Sequence, residues 1–288
     1  MREVCRALEV SPSGFYAHRD KDCRLRRQQD RVLAGELQSV FEQSYGTYGS
    51  PRLVRALRER GLFTSKTRVR GLMKSQGLCP RQKRRVKVTT TRSHPHWPVA
   101  RHWPVAPQLL LDAPPVQQPG QRFHSDITYI PTGEGWTGEG WLYTAATLDG
   151  YSRKCAGWSA DDNMETSLVL RAAQRAFAAA GIGADASAAV HHSDRGSQYA
   201  SEGFRNFLSD CDIVQSMSRR GNCYDNALME SFWATLKTEC FDNFRSGIPQ
   251  TRQQAKQLLF AYIEVFYNRK RLPKTSALGA QLPIAARL

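Results

Sequence analysis

The sequence has no C-x-x-C pair, no long apolar run and few acidic residues in its first third. Its seven cysteines, at 5, 23, 79, 155, 211, 223 and 240, are odd in number and widely scattered. That pattern excludes a disulfide framework and a cysteine zinc knuckle. No window approaches eighteen consecutive apolar residues, so no membrane span and no membrane partner are expected. The opening Met-Arg-Glu-Val-Cys-Arg leads into no apolar stretch, which argues against a secretory signal. A cytoplasmic protein with reduced thiols follows. What is present is 288 residues, 41% of them hydrophobic, enough for one large domain or two small ones.

Charge divides the chain. Residues 1–95 hold 22 basic and 8 acidic side chains, a net of +14, out of +15 for the whole. The remaining residues hold 19 basic and 18 acidic, a net of +1. A strongly basic third joined to a nearly neutral remainder points to a module that grips a polyanion, whether DNA, RNA or an anionic membrane surface.

Along the basic third, residues 1–28 carry a short helical signal, a turn at Ser11-Pro12-Ser13-Gly14, and Phe15-Tyr16, which reads as a small N-terminal helical arm. Residues 29–88 then carry three helices. The first, over 30–42, places Val32, Leu33, Leu37, Val40 and Phe41 at helical spacing. The second opens with Ser50 and Pro51 as cap and first residue and stops at Gly61. The third is capped by Thr64 or Ser65 and stops at Gly77. The last two form a helix-turn-helix pattern. Nine basic residues and no acid fall between 66 and 87, among them Lys66, Arg68, Arg70, Lys74, Arg84 and Arg85. Such a strip supplies the phosphate contacts that drive nucleic-acid affinity.

Seven prolines make 89–119 a stiff, extended linker. It contains a tandem copy, HWPVA at 96–100 and 102–106, and a second copy follows, TGEGW at 132–136 and 137–141. Both are too short for solenoid repeats and read as duplications in tolerant loops. From 120 to 245 the order of elements is β-β-β-α-β-α-β-α, with strands at 122–130, 141–149, 154–160, 188–193 and 213–218. This predicts two hairpins and a mixed five-stranded α/β sheet with helices against it. Residues 246–288 add a helix over 251–267 and the basic tail Asn268-Arg269-Lys270-Arg271.

Three acids stand out in this part. Asp126 interrupts the strand RFHSDITYI, where a carboxylate is a poor strand former and is buried. Asp194 ends the strand AAVHHSD, at the kind of sheet edge where ligands bind. Glu230 lies mid-helix in NALMESFWATLK, with Asn222, Asn226 and Lys237 on its face and Leu228, Phe232 and Leu236 opposite. Brought together, three carboxylates repel. A divalent cation removes that cost, and hard oxygen ligands suit Mg²⁺ or Mn²⁺. Two such ions, ~3.5–4 Å apart, can clamp the attacking and leaving oxygens of a phosphodiester.

The motifs HSDITYI, HSDRGSQY and GNCYDNALMESFWATLKTE, with thirty-five residues between Asp194 and Glu230, resemble those of the integrase-type, second-frame transposases of IS-three-type bacterial insertion sequences. These are members of the superfamily of DDE transposases and retroviral integrases. YGTYGSPRLVRALRERG with TRVRGLMKSQGL resembles that family's helix-turn-helix region, and YNRKRLPKTSALGAQLP resembles its closing motif. The resemblance implies a ribonuclease-H-like core with Asp126, Asp194 and Glu230 as catalytic, metal-binding residues. It implies Mg²⁺ or Mn²⁺ as cofactor, in two ions. It also implies DNA cleavage at element ends, then attack of the 3′-hydroxyl on target DNA. Lys237 is then a phosphate contact, and Asn222 and Asn226 order the site or touch DNA. The implied partners are terminal inverted repeats, target DNA, further copies of the chain in a synaptic complex, and the element's first-frame product or a fusion with it. The implied location is the bacterial nucleoid.

The chain departs from the family pattern in four places. Phe123 stands near where a Trp is usual, the two duplications lengthen a linker and a hairpin, and Arg271-Leu272-Pro273-Lys274 stands where a His is common. A catalytically inactive repressor that only occupies the inverted repeats is therefore an alternative. A nuclease for RNA–DNA hybrids is a third reading, disfavoured by a motif built for the B-DNA major groove.

Overall fold

A computed structural model describes residues 2–81, 105–133, 140–182, 189–219, 223–241 and 249–272. The chain divides into two compact units, 1–82 and 83–288.

The first unit is all-helical. α1 spans Arg2–Ala7 and α2 spans Pro12–Gln43. The expected arm and the helix expected over 30–42 are thus largely one element, and the sequence reading of a turn at Ser11–Gly14 is corrected. Ser11 is an N-cap whose hydroxyl accepts from the Gly14 amide at 3.0 Å, with Pro12 in the first turn. No proline follows to stop the helix before Ser44. α3 (Ser50–Glu59) is entered from Gly49, so the expected cap Ser50 is corrected to the first helical residue, with Pro51 after it. The helix stops at Gly61, whose φ of +80° is the left-handed cap conformation. α4 (Lys66–Ser75) is capped by Ser65, which accepts from the Arg68 amide. Leu33, Leu37 and Val40 of α2, Leu53 and Leu57 of α3, and Val69 and Met73 of α4 form the buried side of this unit.

The second unit is built on a five-stranded mixed sheet of order β3-β2-β1-β4-β5. Its strands are β1 (Arg122–Pro131), β2 (Trp141–Asp149), β3 (Cys155–Asp161), β4 (Val190–Ser193) and β5 (Val214–Met217). The first three form the two expected hairpins, and β4 and β5 add in parallel. Helices α5 (Thr166–Ala179), α6 (Ser197–Ala200) and α7 (Glu202–Asp210) accompany the sheet. Phe123 and Ile127 of β1 pack with Leu168, Ala172, Ala176 and Phe177 of α5 and with Phe204 and Leu208 of α7. A side chain on Gly157 would collide with the Ala172 carbonyl and the Ala176 amide, so glycine sets the close approach of α5 to β3.

Strand alternation turns His124, Asp126 and Thr128 to the other face. There lies α8 (Ala227–Leu236), entered by a tight 3₁₀ turn at Cys223–Asn226 and continued by a π-helical turn at Lys237–Phe241. α9 (Arg252–Phe260) runs into a second π-helical stretch, Ala261–Tyr267, and the two bury Leu259, Tyr262, Ile263 and Phe266, with Leu258 half-buried.

Both sheet edges are covered. At β5, the Met217 amide donates to Pro107 O and the Leu109 amide to Ser216 Oγ. The later part of the expected linker is therefore docked on the sheet, because an open edge strand must be paired or blunted. At β3, the Asn268 side chain accepts from the Cys155 amide and donates to its carbonyl. The segment expected to be a basic tail thus begins as an edge cover.

Candidate active site

Asp126 and Asp194 hold equivalent places on neighbouring parallel strands. β1 and β4 register His124 against His192, and each aspartate follows two residues later. β4 ends at Ser193, so Asp126 lies where its neighbour has stopped, and both carboxylates are half-buried rather than sealed. The Asp194 Oδ1 accepts from the Gly196 amide at 3.0 Å, a turn that fixes the side chain at the strand end. Burial first, and the charge of Asp194 second, hold the Asp126 carboxyl well above the usual carboxylate range. Glu230 adds to that effect, while the Ile127 amide and the Trp233 indole oppose it. Burial likewise raises Asp194, against the Gly196 amide.

Glu230 sits in the first turn of α8, exposed, on the helix that crosses this end of the sheet. The sequence expected it mid-helix, but the α-helical turns begin only at Ala227. Among the described residues, no three His, Cys, Asp or Glu side chains stand close enough to form a finished metal cage. Asp194 and, more weakly, Glu230 act on Asp126 at electrostatic range.

Sequence reasoning missed Trp233. Its Nε1–H donates to Asp126 Oδ2 at 3.1 Å, one helical turn beyond Glu230. The signal was the i, i+3 spacing of Glu230 and Trp233 on one face, masked because a tryptophan in an apolar run reads as core. α8 is indeed buried around more of its girth than expected, through Met229, Phe232, Trp233 and Leu236. Lys237 follows in the π-helical turn, half-buried, with Nζ 5.0 Å from the centre of the Tyr129 ring. Burial lowers its pKa, and Asp126 opposes that.

Asn226 is corrected as a candidate DNA contact. It is buried, and its amide nitrogen donates to the Ser125 carbonyl at 3.0 Å. It pins the start of α8 to the residue before Asp126, so it orders the site. Asn222, Arg84 and Arg85 lie outside the described residues. On α4, Lys66, Arg70 and Lys74 are exposed at i, i+4, i+8 spacing and form one basic face. Arg68, part-exposed, has its Nε 2.7 Å from Asp30 Oδ1 and so ties α4 to α2.

The closing segment holds a second unforeseen feature. Arg271 forms a two-pronged pair with Glu239, at 2.6 and 2.8 Å, and the Tyr262 hydroxyl donates to the same carboxylate. The pair is buried, which takes Arg271 out of the expected basic tail.

A family model of an integrase core domain matches residues 116–223, and a second integrase core model matches 230–280. An HTH-like domain model matches residues 27–86. A 31 kDa protein of insertion element IS600 from Shigella sonnei is 36% identical over 284 residues, 99% of this chain and 97% of that protein. The chain belongs to the IS3 family of transposases. Transposase InsF of IS3A from Escherichia coli is 34% identical over 276 residues, covering 94% of this chain and 88% of that one. The IS904 transposase of Lactococcus lactis is 34% identical over 245 residues, covering 84% and 88%. Among solved structures, the HTLV-2 integrase catalytic core domain in complex with magnesium aligns with a TM-score of 0.40 and 14% identity, over 55% of this chain and 91% of that one. Among the described residues, no helix is long and apolar enough to cross a membrane.

Proposed function

We propose that this IS3-family chain is a DNA transposase that cleaves at the ends of its element and joins the freed 3′-hydroxyl to target DNA. The observation that carries the reading is the placement of Asp126, inside β1, beside Asp194, just past the end of the neighbouring β4, with Glu230 on the helix that packs on β1. Two partly buried carboxylates, both raised by burial and Asp126 further raised by the charge of Asp194, form a donor set suited to a hard divalent cation. Asp126, Asp194 and Glu230 would hold it, as Mg²⁺ or Mn²⁺ and as two ions in the working complex. When bound, it neutralises the carboxylates and polarises a phosphodiester.

The chain's own residues do the rest. Lys237 offers a cation beside Asp126 to orient a phosphate of the reacting strand. Lys66, Arg70 and Lys74 grip the backbone of the inverted repeat and hold the all-α unit on duplex DNA. Two element ends must be joined, so the chain works as a homo-oligomer in a synaptic complex, together with the first-frame product or fused to it, at the nucleoid.

The test is a strand-transfer assay with labelled element ends and Mg²⁺, comparing the wild-type chain with Asp194→Asn. The wild type forms joined product and the variant none. Equal product from both would remove the enzymatic reading and leave a DNA-binding protein.

A further inference from the structure

Among the described residues, one side chain hydrogen-bonds Asp126 from outside its own strand, the indole of Trp233, whose Nε1–H lies 3.1 Å from Oδ2. An indole has a single donor and no acceptor, so a buried tryptophan is committed to one partner. Trp233 is 6% exposed, and its ring is braced by Phe232 at 4.9 Å, which meets Tyr267 at 5.1 Å. The side chain therefore cannot swing away without opening the packing of α8 against the C-terminal segment. Glu230 precedes Trp233 by one helical turn and shares its face. Fixing Trp233 on Asp126 thus fixes the height and rotation of α8 over β1. At the start of the same helix, Asn226 holds the Ser125 carbonyl. α8 is consequently tied to the strand on both sides of the point from which Glu230 projects.

We propose that Trp233 is a positioning residue for the catalytic carboxylates: its indole N–H orients Asp126 and sets α8 so that Glu230 joins Asp126 and Asp194 at a shared divalent cation. This rests on the metal-dependent reading above. Partners that orient a metal ligand change metal affinity or activity about 10- to 100-fold when removed. A residue that served only to fill the core would instead change the amount of folded protein.

The full-length chain is used throughout. Mn²⁺ binding is followed by the loss of the free-ion electron paramagnetic resonance signal, and strand transfer is titrated with Mg²⁺. Trp233→Phe keeps an aromatic ring and lacks the donor. It is expected to weaken Mn²⁺ binding about tenfold or more and to raise the Mg²⁺ midpoint of strand transfer by a similar factor. Product should return towards the wild-type level at high metal. Should Trp233→Phe not fold, benzothienylalanine at 233 keeps the shape of tryptophan, lacks only the N–H, and carries the same expectation. Unchanged Mn²⁺ affinity and an unchanged Mg²⁺ midpoint would overturn the proposal, as would activity lost only in proportion to folded protein. Asp194→Asn separates the two failures. If Asp194→Asn abolishes Mn²⁺ binding while Trp233→Phe does not affect it, the role of Trp233 alone falls. If the wild type binds Mn²⁺ no better than Asp194→Asn, the metal reading falls and this inference with it.

Discussion

With Asp126 and Asp194 neutralised, the second unit should lose much of its stability in mild acid, because three histidines are buried uncharged beneath the site. His191 is fully buried, with Nε2 2.8 Å from Ser125 Oγ. His192 is fully buried between the hydroxyls of Ser216 and Ser218, and His124 meets the His192 ring at 5.7 Å. Burial, and then the neighbouring histidines, push His191 down to about 3. His124 falls to about 3 for the same reasons, with Arg153 and Arg122 adding, and burial takes His192 to about 4. An unfolded histidine titrates near 6.5. As pH falls below 6.5, the unfolded chain takes up protons that the folded chain refuses, so stability drops until the folded values are reached. At pH 5 each ring has lost about 1.5 pH units at 1.36 kcal/mol per unit, or about 2 kcal/mol. The three together cost about 6 kcal/mol, against a usual total of roughly 5–15 kcal/mol.

Asp126 and Asp194 act in the opposite direction, since their raised values make the folded chain bind protons first. The measurement is therefore made on the Asp126→Asn/Asp194→Asn protein. All six tryptophans lie beyond residue 82, so tryptophan fluorescence follows only the second unit. Urea melts from pH 7.5 to pH 5 should lose most of that stability, and His191→Phe should shrink the pH dependence by about a third. A loss under about 1 kcal/mol across this range would refute the reasoning.

Three further outcomes are expected. With metal absent, Asp126→Asn should melt at a higher temperature than the wild type by calorimetry, because it removes a charge that burial and Asp194 disfavour. Millimolar Mg²⁺ should raise the wild-type melting temperature and leave the variant unmoved. Replacing Lys66, Arg70 and Lys74 together by Ala should flatten the slope of log K against log salt by about 3 for an element end, whereas Arg68→Ala should leave the slope unchanged, measured by fluorescence anisotropy. Arg271→Met takes the cation from the buried Glu239 carboxylate and should cost about 3–5 kcal/mol in urea melts, with much of the loss recovered in Glu239→Gln/Arg271→Met.

What local spacing encodes was legible in the sequence. The alternation in RFHSDITYI, the alanine face of α5, the Gly61 stop of α3 and the Ser65 cap of α4 are short-range patterns, and the expected sheet and helix-turn-helix follow from them. The two aspartates could be singled out because a carboxylate inside or ending a strand violates local preference. The long α2 was misread because a Ser-Pro-Ser-Gly run serves equally as a turn and as a helix cap. Asn222, Arg84 and Arg85 lie outside the described residues, and their expected roles rest on the sequence alone.

The sequence by itself determined the partition of charge, the order of the elements and the identity of the acids, since each depends on residues near one another in the chain. Only the tertiary structure decided which polar side chains are already committed. Trp233 reaches Asp126 across 107 positions, Asn268 reaches Cys155 across 113, Arg271 reaches Glu239 across 32 and Arg68 reaches Asp30 across 38. No periodicity spans such distances. Whether a lysine or asparagine meets DNA or a neighbouring strand depends on what the folded chain brings beside it, because a buried polar group must find its partner inside the protein.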